Sequence, residues 1–113
     1  IWAEGRRIAV LGDMLELGPI AEQAHRTVGQ QAAAIPVDLL ITVGKLGQLI
    51  AQGAQAAGLG VQQIKHFEDS KEAAAAVPSL LAPEDLVLVK ASRGMKLELV
   101  VEGIVAAWEG VQC

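Results

Sequence analysis

Two short stretches of this chain carry residue types that could hold an anionic ligand. Lys90, Ser92 and Arg93 follow the apolar run Val87-Leu88-Val89, with Ala91 between them and Gly94 after. Two cations and a hydroxyl on one turn, ahead of a helical pattern, suit a carboxylate or a phosphate. A guanidinium offers paired donors, and a helix N-terminus adds backbone N–H groups. Gly94 would allow close backbone approach. Near the start, Ile8-Ala9-Val10-Leu11 runs into Gly12-Asp13-Met14. Asp13 could accept a hydrogen bond from a sugar hydroxyl or help organise a metal–phosphate site. The alternative is an Asx-turn or cap that merely ends a strand. The two strand ends carry opposite charges and could face one site.

Lys45, after Gly44, ends a third apolar run and could neutralise an anionic ligand, or be a surface lysine at a helix start. His25 falls within a helical pattern, where a lone histidine is expected at the surface or against a partner. Glu16 and Glu98 favour helix N-termini electrostatically. His66 and Cys113 have no neighbours at metal-ligand spacing, so no metal site is expected.

The elements that must position these residues alternate. Arg7–Gly12 is a continuous apolar run, as expected of a strand covered on both faces. Leu17-Gly18-Pro19 opens a helix whose stripe is Ile20, Ala24, Thr27, Val28 and Gln31, ended by Pro36. Leu39–Val43 is a second strand. Leu46, Leu49, Ile50, Ala54 and Ala57 form the next helical stripe, stopped by Gly58 and Gly60. Val61–Phe67 is a more polar, edge-type strand. Asp69 with Ser70 offers a cap for an alanine-rich helix that Pro78 bends or ends. Leu86–Val89 is the fourth strand, and Leu97–Trp108 the last helix. Such alternation predicts a Rossmann-like three-layer α/β domain: a parallel sheet of about four strands, order 3-2-1-4, with helices on both faces. The winding then reverses between strands one and four, where ligands of open α/β sheets bind, with Asp13 and Lys90 at the lips of the crevice.

The 113 residues fit a single domain, 1–113. The apolar fraction is 52%, yet the aromatic residues are only Trp2, Phe67 and Trp108, so the core must be aliphatic. A net charge of −4 argues against a nucleic-acid surface. Cys113 is the lone cysteine, which excludes a disulfide framework and points to a reducing, cytoplasmic setting. No segment reaches the roughly 18 uninterrupted apolar residues of a membrane span. The chain begins with Ile1, and the expectation is a fragment whose neighbour lies upstream. Neither a P-loop, a Gly-x-Gly-x-x-Gly turn nor a nucleophile elbow is present. No catalytic residue is therefore expected in this stretch, and the chemistry needs groups from elsewhere.

The blocks Arg6-Arg7-Ile8-Ala9-Val10-Leu11-Gly12-Asp13-Met14-Leu15-Glu16-Leu17-Gly18, His25 with Val28-Gly29, Asp38–Gly44 and Val87–Glu98 together resemble the C-terminal domain of the Mur ligases of the MurF type, the UDP-N-acetylmuramoyl-tripeptide–D-alanyl-D-alanine ligases. The similarity runs from about Gly5 to Val105. Ala91 stands where that family usually has glycine, and the family's earlier strand-and-helix segment is missing. The resemblance implies a three-domain enzyme whose N-terminal and central P-loop domains lie outside this chain, with magnesium held mainly by the central domain. ATP would phosphorylate the tripeptide carboxylate, and the amine of D-Ala-D-Ala would displace phosphate. Asp13, with Met14 alongside, would contact ATP. Lys90, Ser92, Arg93 and Lys45 would face the dipeptide carboxylate or the transferred phosphate. A cytoplasmic monomer without nucleic-acid partners is expected, inactive as this piece alone. The competing expectations are another Mur-type amino-acid ligase, a receiver-like module with Asp69 as phosphoacceptor, and a purely structural docking domain.

Overall fold

Apolar runs in this chain become strands where both faces are covered, and the segments between them become helices that do the covering. A computed structural model describes residues 6–14, 18–82, 85–90, 101, 102 and 105. Strands β1 (Arg7–Gly12), β2 (Leu39–Val43), β3 (Ile64–Phe67) and β4 (Leu86–Lys90) alternate with helices α1 (Ala21–Ala34), α2 (Gly47–Ala56) and α3 (Ser70–Leu80). A 3-10 turn at Gly18–Ile20 leads into α1. The sheet order is β3-β2-β1-β4 and every pairing is parallel. The expected topology is therefore the observed one. Ile8 pairs with Leu39 on one side and Val87 on the other, and Leu11 with Thr42 and Lys90.

The side-chain alternation of β1 and β2 divides the core in two. Ile8, Val10, Leu39, Ile41 and Val43 meet Ala73 and Val77 of α3. Ala9, Leu11 and Leu40 meet Ala32 of α1 with Ile50 and Ala54 of α2. Helices α1 and α2 thus share one face and α3 takes the other, so the winding reverses between β1 and β4. Among the described residues no helix is long and apolar enough to cross a membrane.

Several local expectations need correction. The third strand begins at Ile64 rather than Val61, because Val61–Gln63 form a 3-10 turn. The fourth strand continues through Lys90, which pairs with Leu11. Pro78 lies inside α3, which runs on to Leu80. The buried stripe of α1 is His25, Gly29 and Ala32, while Ile20 is exposed. That of α2 is Gly47, Ile50, Gly53 and Ala54. The shift has one cause. The helices approach so closely that a Cβ on Gly29 would fall on the Ile50 carbonyl, and one on Gly53 on the Arg26 carbonyl. Glycine, not a large apolar residue, marks the contact. Of the expected last helix, Val101, Glu102 and Val105 are helical and exposed; the rest of Leu97–Trp108 is outside the described residues.

Polar contacts fasten the amino edge of the sheet. Asp38 Oδ2 accepts from Arg7 N at 2.7 Å. Asp85 takes Arg6 Nη2 at 2.8 Å, with Nε and the Arg6 backbone N–H at 3.3 Å. Arg6 Nη2 also donates to the Leu80 carbonyl at 2.8 Å, placing a cation at the C-terminus of α3.

Candidate functional site

The carboxyl ends of β1, β2 and β4 form the opposite edge. The chain leaves β1 through Asp13 and Met14, and β2 through Gly44, whose φ of 97° only glycine adopts without strain. Lys45 follows on an exposed turn into α2. Lys90 closes β4, exposed.

Asp13 is 8% exposed, and its Oδ1 accepts from the Gly47 backbone N–H at 2.9 Å. This ties the end of β1 to the first turn of α2, where N–H groups lack partners within the helix. The carboxylate is thus turned toward α2. Asp13 and Lys90 stand at neighbouring strand ends but form no ion pair.

Between β4 and α1 runs an apolar groove of about 350 Å³ along Ala9, Leu11, Val28, Ile35, Leu86 and Leu88. Gly12, Met14 and Lys90 line it where these strands end. Leu86 and Leu88 are 62% and 59% exposed there. Among the expected site residues, then, the structure brings Met14 and Lys90 onto one groove and commits Asp13 to α2. Lys45 lies at the head of α2, on the β2 side. Ser92 and Arg93 are outside the described residues.

His25, expected at the surface, is fully buried. Its Nε2 accepts from the Met14 backbone N–H at 2.9 Å, and Nδ1 meets the Ala21 carbonyl. Two satisfied ring nitrogens are what allow a polar side chain to sit in this layer. The signal that could have found it is spacing: His25, Gly29 and Ala32 lie at i, i+4 and i+7, on one face.

On the other side of α2, Thr42 Oγ1 and His66 Nδ1 are 2.8 Å apart across the β2–β3 pair. His66 Nε2 has no hydrogen-bond partner, and its contact with Glu68 is 3.9 Å long. Asp69, the residue a receiver-like domain would need, caps α3 by accepting from Glu72 N at 2.8 Å. Among the described residues no group of three His, Cys, Asp or Glu side chains could hold a metal ion. Asp13 is the carboxylate at the described part of this edge, and one of its oxygens is taken by the Gly47 N–H.

Residues 1–93 match the family profile described as "Mur ligase, glutamate ligase domain". The UDP-N-acetylmuramoyl-tripeptide–D-alanyl-D-alanine ligase of Bacillus subtilis (strain 168) is 40% identical over 101 residues, covering 89% of this chain and 22% of that protein. The ligase of the same name from Escherichia coli (strain K12) is 35% identical over 102 residues, 88% of this chain and 21% of that one. In structure, MurF from Acinetobacter baumannii superposes with a TM-score of 0.74 at 27% identity over 88% of this chain and 22% of its own. The MurF ligase of Thermotoga maritima, solved in complex with ADP, shares the fold with a TM-score of 0.71 at 24% identity, over 94% and 23%. The chain spans between a fifth and a quarter of the length of these proteins.

Proposed function

From the premise that this chain belongs to the Mur ligase family, we propose that it is the C-terminal closing domain of an ATP-dependent ligase. That ligase would add D-Ala-D-Ala to UDP-N-acetylmuramoyl-tripeptide in the making of peptidoglycan precursors. The observation that carries the reading is the switch point between β1 and β4, where the Asp13–Met14 turn and Lys90 end adjacent strands. An open α/β sheet binds its ligands at such a crevice. The relatives named for this reaction support the choice of substrates.

In this reading the domain contributes binding and alignment rather than a nucleophile. Asp13 keeps one oxygen on the Gly47 amide and offers the other to ATP, with Met14 flanking it. Lys90, with Ser92 and Arg93 beyond it, meets the dipeptide carboxylate or the phosphate being transferred, and Lys45 adds positive charge. The tripeptide carboxylate would attack the γ-phosphorus of ATP, with ADP leaving on the bridging oxygen, to give an acyl phosphate. The dipeptide amine would then attack its carbonyl carbon, phosphate leaving with the C–O bonding pair and the nitrogen giving up one proton to solvent. Bringing this edge against the chain's own N-terminal and central domains would align the amine and exclude water. ATP and magnesium would be held mainly by the central domain. A cytoplasmic monomer belongs to the same reading.

The test uses the complete parent chain, following phosphate release from ATP with UDP-N-acetylmuramoyl-tripeptide, with and without D-Ala-D-Ala. Release that depends on the dipeptide is expected, and Lys90→Ala should raise KM for a substrate of the transfer by about tenfold or more, the worth of one charge-assisted contact. Folded parent protein that releases no phosphate in response to the dipeptide would refute the assignment.

A further inference from the structure

His25 is fully buried on α1, on the face of the sheet where Ala9, Leu11, Ala32, Leu40, Ile50 and Ala54 form the core. Filling that space alone would suit a leucine, whereas a buried imidazole is tolerated only when its nitrogens are satisfied. Both are. The Met14 backbone N–H, 2.9 Å away, can only donate, so Nε2 must be the acceptor. The ring proton therefore sits on Nδ1 and is donated to the Ala21 carbonyl one helical turn earlier. The side chain of Asp13 is held from α2 through the Gly47 N–H, and the next peptide is held from α1 through His25. The turn is thus anchored on both sides by the two helices that pack on this face. A ring bonded to its own helix at one nitrogen has little freedom, so it fixes the orientation of the Met14 peptide more tightly than a flexible acceptor would.

We propose that His25, as its Nδ1–H tautomer, is a positioning residue that sets the Asp13–Met14 turn for its ligand through the Met14 amide. The proposal rests on the reading that this turn faces ATP. It predicts an effect on nucleotide binding that packing alone would not produce, and it predicts which replacement restores it. The Oε1 of glutamine can accept from Met14 N in place of Nε2; leucine fills the space and accepts nothing.

The experiment compares His25→Leu, His25→Gln and Asp13→Asn in the complete parent ligase, with KM measured for each substrate and melting followed in parallel. Expected for His25→Leu is a rise in KM for ATP of about tenfold, the scale of one lost hydrogen bond. The KM for D-Ala-D-Ala should be unchanged, and His25→Gln should recover most of the loss. Equal behaviour of the Leu and Gln variants, or a uniform rise in every KM, would overturn the proposal. Asp13→Asn separates the two ideas: if it leaves KM for ATP unchanged, the nucleotide reading of the turn fails. If it raises that KM while His25→Leu does not, only the role of His25 fails. Should His25→Leu not fold, nitrogen-15 spectra of the histidines in the unmodified parent decide the matter. A protonated Nδ1 with Nε2 coupled to the Met14 amide is expected, and the opposite tautomer would sink the proposal.

Discussion

Asp13 and Asp85 are both little exposed, yet they answer to different partners. Asp13 Oδ1 takes a backbone N–H at the head of α2. Truncation to alanine would strand a buried donor, at about 1–3 kcal/mol. Asparagine can keep the acceptor and lose only the charge, so Asp13→Ala should lower the unfolding free energy by that amount and Asp13→Asn by much less, measured by denaturant titration. The Asp85 side chain is 4% exposed, whereas Arg6 beside it is 44% exposed. The hydrogen bond from the Arg6 side chain holds the Asp85 carboxyl below the usual carboxylate range. Burial opposes this, and the Ala82 N–H adds to it. The unfolded chain then binds this proton more tightly than the folded one. The contribution is complete above the ordinary aspartate value of about 3.9 and is lost as pH falls through the lower folded value. Solvent around Arg6 keeps it small, about 1 kcal/mol. Asp85→Ala should cost that much at pH 7, and the gap from the unmodified chain should close in titrations well below pH 4.

The contact between α1 and α2 depends on the absence of side chains. Alanine at Gly29 or Gly53 would drive a methyl group into a backbone carbonyl, which cannot step aside as a flexible side chain could. Each substitution should destabilise by about 2 kcal/mol or more, or prevent folding, with loss of the cooperative transition as the readout. Gly47→Ala is the contrast: its Cβ would meet Thr42 at an ordinary 3.5 Å, and the amide that serves Asp13 is kept. A near-neutral result is expected there. The cap of α3 is more modest, and Asp69→Ala should cost about 1 kcal/mol by the same titration.

Across the whole molecule, β4 has two unlike faces. Val87 and Val89 pack onto the α3 side of the core, and Leu86 and Leu88 line the open groove. Val89→Ser should therefore cost about 1–3 kcal/mol, while Leu88→Ser stays within about 0.5 kcal/mol in denaturation of this chain. Reversal of that order would mean that the groove is covered when the chain folds.

Strand number, strand order and helix alternation are written locally. A run such as Leu39–Val43 is apolar throughout because both of its faces are covered, and right-handed crossovers leave few ways to connect such runs. The lysine and aspartate at the strand ends could be read the same way, since they interrupt those runs. The partners of those residues were not legible. Asp13 finds Gly47, Met14 finds His25, and Arg6 finds Asp85 across 79 positions of sequence. Nothing in the periodicity of either member names the other. The helical faces are legible only in part for a related reason: Ile50 and Ala54 are buried and Val28 packs on the core as expected, but apolar spacing passes over Gly29, Gly47 and Gly53. Close packing of α1 on α2 selects residues without side chains and admits a histidine once both its nitrogens are bonded. The sequence by itself determined the elements and their order, because burial imprints a local period. Only the tertiary structure decided which way each functional side chain turns, because that depends on donors supplied from distant parts of the chain.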